Sequence, residues 1–188
     1  MTVQDTVQSG LKGIAPVTLG LLALGVAACS TPDVAPPPCP DVLIPADGSK
    51  LTRFKPGPGR AIIDVLHEAT IIEYAQACEY NTDDSGAGEV AVYVAPLIET
   101  QRGPADQKGE ATFEYFIAVI DSNKKVMDKA LFPVTIPFPQ NMTRVRWQLK
   151  DPNVVRIPLA AGQNGQDFRV FIGLQLTRDE LEYQRRTR

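Results

Sequence analysis

The C-terminal two thirds of the chain alternate between apolar and polar residues with a period of two. Phe168, Val170, Ile172, Leu174 and Leu176 form the strongest such run, after a Gly-Gln-Asn-Gly-Gln-Asp turn. Phe113, Tyr115, Ile117 and Val119 alternate with Glu114, Phe116, Ala118 and Ile120. Both faces of that segment are largely apolar, which predicts a central strand. Asp121-Ser122-Asn123-Lys124 reads as the turn after it, and Val126 to Phe132 as the return. Val134, Ile136 and Phe138 continue the pattern around Pro133 and Pro137, so this segment is expected at a sheet edge. Val90, Val92 and Val94 alternate with Ala91 and Tyr93. Val145, Trp147 and Leu149 alternate with Arg144, Arg146, Gln148 and Lys150, which predicts a half-buried strand with a cationic outer face.

Towards the N-terminus the pattern is less regular. Cys39 to Pro45 reads as a short strand bracketed by prolines, hence at an edge, and Ala46-Asp47-Gly48-Ser49 as a turn. Lys50 to Arg60 reads as a basic loop carrying Lys50, Arg53, Lys55 and Arg60 around Pro56-Gly57-Pro58-Gly59. It is a solvated surface loop, or a contact for phosphate-bearing headgroups or acidic glycan. Ala61 to Tyr80 admits two readings. Ile62, Val65, Leu66, Ala69 and Ile72 fit a helical stripe, whereas the many β-branched residues favour a strand, which we prefer. As a strand, Ile63, Val65, His67, Ala69 and Ile71 share one face, and the apolar parity then shifts to Ile72, Tyr74, Cys78 and Tyr80. A β-bulge or a change of sheet produces such a shift. Thr177-Arg178-Asp179-Glu180 matches a capping box and starts a short terminal helix.

Six to eight strands without a βαβ rhythm predict an all-β, antiparallel sandwich of immunoglobulin-like or fibronectin-like type, closed by a short C-terminal helix. The 14 glycines and 16 prolines fit turns between short strands.

Residues Ile14 to Ala28 form the one long apolar run. At 15 residues it is shorter than the roughly 20 a helix needs to cross a bilayer. Its length and small-residue end are those of a secretory signal peptide, behind a weakly basic start with Lys12 and Asp5. Val26-Ala27-Ala28-Cys29 resembles the lipobox of bacterial lipoproteins. That resemblance implies removal of residues 1–28 and lipidation of Cys29, whose thiol takes a diacylglycerol as a thioether. Two or more acyl chains would hold the protein on a membrane. Ser30 after the cysteine points to the periplasmic face of the outer membrane. Ser30 to Pro38 then reads as a proline-rich tether of extended, semi-rigid character. The expected organisation is a signal peptide over 1–28, a lipidated cysteine and tether over 29–38, and a sandwich over 39–188.

The net charge of −3 is unchanged by removing Asp5 and Lys12, and nothing in it suggests a nucleic-acid partner. With Cys29 lipidated, Cys39 and Cys78 remain as an even pair for a disulfide in an oxidising compartment. His67 is the one histidine, so any Ser-His-Asp or Cys-His chemistry would have to use it, and it reads as structural. Neither a Cys-x-x-Cys nor a histidine pair is present, so no structural metal or cofactor is expected. Asp83-Asp84-Ser85-Gly86 reads as a turn rather than a calcium loop.

Three further tracts resemble a group of proteobacterial lipoproteins: Leu51-Thr52-Arg53-Phe54 with Pro56-Gly57-Pro58-Gly59-Arg60, then Arg102-Gly103-Pro104-Ala105, and Leu174 to Leu181. The resemblance implies no activity and no catalytic residue. The expected function is a non-catalytic, membrane-anchored accessory or scaffold that binds another envelope protein, with Arg144 and Arg146 as a candidate contact surface. An envelope-assembly factor or chaperone using sheet-edge strand addition is the alternative. A periplasmic hydrolase or glycan-binding protein is the third.

Overall fold

The computed structural model describes residues 37–187. The expected signal peptide, the lipidation site Cys29 and the tether as far as residue 36 lie outside the described residues. The chain forms an all-β sandwich. Its strands are β1 (Asp41–Leu43), β2 (Lys50–Phe54), β3 (Val65–Thr82), β4 (Gly88–Arg102), β5 (Glu110–Asp121), β6 (Val126–Pro137), β7 (Arg144–Gln148), β8 (Asn153–Leu159) and β9 (Phe168–Leu174). One helix, α1 (Arg178–Arg186), follows. One sheet has the order β1-β9-β5-β6. The other runs β2-β3-β4, with β7 and β8 sharing successive lengths of β4. Strand β1 runs parallel to β9, and the other pairs are antiparallel.

Period-two alternation builds the core directly, because successive strand side chains point to opposite faces. Val90, Val92, Val94 and Ile98 from β4 meet Phe113, Tyr115, Ile117 and Val119 from β5, together with Val170 and Ile172 from β9. All are buried. β5 is central, flanked by β6 and β9, as its two apolar faces require. β6 is an edge strand and runs unbroken through Pro133. Proline cannot donate to β5, so Pro133 and Pro137 fall where the backbone nitrogen faces the free side.

The stretch 61–80 resolves to strand, with two corrections. The strand begins at Val65, and Ile62–Asp64 is a single 3-10 turn. Ile63 therefore does not share the face of Val65 and His67. It is 67 % exposed, as Ile62 is at 77 %, while Asp64 turns inward to accept from the Ala61 amide at 3.1 Å. The parity shift is a β-bulge. Ile71 pairs with Ile98 and Glu73 with Leu97, leaving Ile72 as the extra residue. Before the bulge Val65, His67, Ala69 and Ile71 face the core; after it Tyr74, Cys78 and Tyr80 do.

The basic loop over Lys50 to Arg60 also needs correction. Lys50–Phe54 is strand β2, paired to β3, and only the Pro-Gly stretch that follows is loop. Strand β8 was not anticipated. Val155, Ile157 and Leu159 point inward there, and Pro152 and Pro158 disguise the run.

Cys39 and Cys78 are joined, with Cα atoms 5.8 Å apart. Nearby, the Tyr80 hydroxyl donates to the Pro38 carbonyl at 2.6 Å and accepts from the Gly165 amide at 2.7 Å. The start of the domain is thus tied to the second half of β3 by one covalent bond and a shared hydroxyl.

Candidate functional site

The three tracts that carry the lipoprotein resemblance converge on one end of the sandwich. The register places Arg53 of β2 opposite His67 of β3, and His67 opposite Arg102 of β4. Opposed residues in antiparallel strands share a face. Arg53, His67 and Arg102 therefore form a row across three strands, on the face that covers the core.

Each arginine of the row has its own carboxylate. Arg53 Nε donates to Glu180 Oε1 at 2.7 Å, and Arg102 Nε donates to Asp106 Oδ2 at 2.7 Å. Both carboxylates are held by backbone as well. Glu180 is the third residue of the capping box of α1, and its Oε2 accepts from the Thr177 amide at 2.8 Å and the Thr177 hydroxyl at 3.0 Å. Asp106 accepts from the amides of Lys108 and Gly109. The loop bearing Asp106 is stitched to β3, where the Gly103 and Ala105 amides donate to the carbonyls of Leu66 and Val65.

His67 lies between the two ion pairs and is 4 % exposed. Burial pushes its pKa down to about 4, and the Arg53 charge adds to that. Asp106, Glu180 and the Thr112 backbone oppose the shift in part. The imidazole is therefore neutral at neutral pH. Its Nε2 is shielded from solvent and makes no hydrogen bond. A cavity of about 460 Å³ opens beside the row, lined by Arg53, His67, Asp106, Lys108 and Thr112 among others.

The expected cationic residues are all ion-paired. Lys50 meets Glu68 at 3.1 Å, Lys55 meets Asp64 at 2.9 Å and Arg60 meets Asp179 at 3.5 Å. The Lys55 ammonium, with the Ala61 amide, holds the Asp64 carboxyl below the usual range. Arg60 also lies over the Phe54 ring at 5.3 Å, and Phe54 meets Tyr183 edge-on at 4.8 Å. The Pro-Gly loop is in this way clamped to α1. Arg144 and Arg146 sit elsewhere, on the exposed edge strand β7, and share the single carboxylate of Glu99 at 3.7 and 2.9 Å.

The capping box was legible in the sequence. The Arg53–Glu180 pair was not, because 127 residues separate its members and the capping box does not say what the second carboxylate oxygen of Glu180 meets. The same holds for the row itself. Among the described residues no group of His, Cys, Asp and Glu side chains could hold a metal ion.

No protein-family model matches the chain, and no curated protein is significantly similar to it. One solved structure, the Streptococcus agalactiae AgI/II polypeptide BspA variable (V) domain, is 12 % identical with a TM-score of 0.20. That alignment covers 71 % of this chain and 77 % of the other. A likeness so slight carries no argument about fold or function.

Proposed function

We propose that the protein is a non-catalytic, lipid-anchored accessory or scaffold of the bacterial cell envelope, held by acyl chains on Cys29, that binds another envelope component. Its place in this reading is the periplasmic face of the outer membrane. The observation that carries it is the Cys39–Cys78 disulfide, ten residues beyond the lipobox-like cysteine. Disulfides persist in oxidising compartments, and this one fastens the end of the tether to the sandwich. The state of the candidate site supports binding over catalysis. The single imidazole is buried and neutral, and the two arginines beside it are committed to carboxylates. A general base must reach the proton it abstracts, and His67 Nε2 is walled off from solvent.

The test is intact mass and partner identification on protein extracted from membranes in detergent after mild cross-linking. The expected species is residues 29–188 plus acyl chains, less two protons, cross-linked to a distinct envelope protein. Cys29→Ser should move the protein from the membrane to the soluble fraction. A soluble, unmodified wild-type species overturns the anchor, and an unlinked monomer with a turnover activity overturns the scaffold.

The runner-up is an envelope-assembly factor or chaperone that captures clients by strand addition. It is favoured by an open strand edge on the second half of β3.

A further inference from the structure

Beyond the bulge, β3 pairs with β4 on one side only. β2 reaches no further along β3 than Thr70, with one more hydrogen bond from the Ile71 amide to Ser49. From Glu73 to Thr82 the other side of β3 has no strand partner among the described residues. This edge runs for ten residues without proline or glycine. The other edges are shorter or interrupted, the longest proline-free run among them being the seven residues Val126 to Phe132 of β6. β1 has three residues, β2 and β7 have five each, β6 carries Pro133 and Pro137, and β8 carries Pro158. Short strands and prolines are how sheets avoid adventitious pairing. The second half of β3 lacks both devices.

The sheet face beside this edge is shaped as well. Glu73, Ala75, Ala77 and Glu79 point to the face away from the core, opposite Leu97, Ala95, Tyr93 and Ala91 of β4. Ala75, Ala77 and Ala95 floor a shallow trough walled by Tyr93, Leu149 and Pro152, with Gln148 and Lys150 also on its lining. Two alanines therefore lie between two carboxylates along the open edge. A strand added there sets alternate side chains opposite these four positions. Its ends meet Glu73 and Glu79, and its middle meets the trough.

We propose that the edge of β3 from Glu73 to Thr82 is a docking site for an extended segment of a partner protein, with two apolar residues at alternate positions between flanking basic ones. This deepens the binding function proposed above and rests on it. A second copy fits poorly. Antiparallel self-pairing centred on Gln76 would set Glu73 of one chain against Glu79 of the other, and directly opposed like charges are destabilising. The preceding tether fits poorly too, since Pro32, Pro36, Pro37 and Pro38 lack the amide hydrogens a strand needs.

The test is hydrogen–deuterium exchange on the full chain in detergent, with the peptide Lys-Thr-Val-Thr-Val-Thr-Lys and its counterpart with glutamate at both ends. The sequence is palindromic, so parallel and antiparallel addition give the same contacts. At saturation the lysine peptide should slow exchange of those amides of 73–82 that point away from β4 by tenfold or more, and the glutamate peptide should not. Glu73→Lys with Glu79→Lys should reverse that preference. Both residues are exposed, so the fold is retained. Unchanged exchange with either peptide overturns the proposal, as does equal protection by both. Protection without peptide of the amides that point away from β4 overturns it too; a second copy holds the edge if that protection grows with protein concentration, and the chain's own N-terminal residues if it does not. A cross-linked partner found elsewhere on the surface, with an inert β3 edge, would leave the scaffold reading standing and sink this one.

Discussion

Arg53 and Glu180 meet at 2.7 Å, and through them the second strand is latched to the terminal helix. Glu180 is nearly buried and serves both the arginine and the helix cap, one oxygen to each. Glu180→Ala removes the reciprocal half of the capping box and leaves a guanidinium that is two-thirds buried without its carboxylate. The expected loss is on the order of 2–4 kcal/mol, read as a lower urea midpoint with an unchanged m-value. Asp179→Ala is the control. Its ion pair with Arg60 is 3.5 Å long and exposed on the aspartate side, so the midpoint should move little.

His67 makes stability pH-dependent in a defined window. Its pKa is about 4 in the fold and about 6.5 when unfolded, so the unfolded chain binds the extra proton between those values. Stability from this group is complete above pH 6.5 and is lost as pH falls through 4, by on the order of 3 kcal/mol. Asp64 and Asp83, whose carboxyls are held below the usual range, add their own losses only at more acid pH. Urea unfolding from pH 7 to 4.5 should show the slope, and His67→Gln should flatten it.

Reducing the Cys39–Cys78 bond frees a loop of 39 residues. The chain-entropy estimate puts the cost at about 3–4 kcal/mol. Cys39→Ser with Cys78→Ser should lower the thermal midpoint by that equivalent and make it insensitive to reductant. If reductant leaves the wild-type midpoint unmoved, the bond is not formed in solution.

Gly103 is a close approach between backbones. A Cβ there would lie 2.1 Å from the Val65 carbonyl oxygen, which belongs to backbone and cannot swing aside. Gly103→Ala should push the Arg102–Asp106 loop away from β3 and cost about 1–3 kcal/mol by overpacking. Exchange of the Gly103 and Ala105 positions' amides, bonded to Leu66 and Val65, should quicken with it.

Much of the sheet structure could be read from alternation alone, because burial on one face imposes a period of two. β5 was placed at the centre by its two apolar faces, β6 at an edge by Pro133 and Pro137, and the break at Ile72 by its shift in parity. Two kinds of feature escaped. Strand β8 was hidden by Pro152 and Pro158, which mark a loop in sequence and an edge in the fold. Lys50–Phe54 was masked by its cations, because Lys50 and Arg53 read as solvated until Glu68 and Glu180 are brought to them. The candidate site was the least legible part. Arg53, His67 and Arg102 are made neighbours by register across two strand pairs, and register depends on the whole hairpin rather than on any local motif.

The disulfide precedes β1 in the chain, and this sets how the domain responds to force. A three-residue strand such as β1 would peel from β9 under a small pull. Tension arriving through Pro38 instead leaves the main chain at Cys39 and enters β3 at Cys78. From there it meets the long β3–β4 ladder, which runs from Thr82 back to His67. β1 is bypassed, and the longest strand pairing among the described residues takes the load.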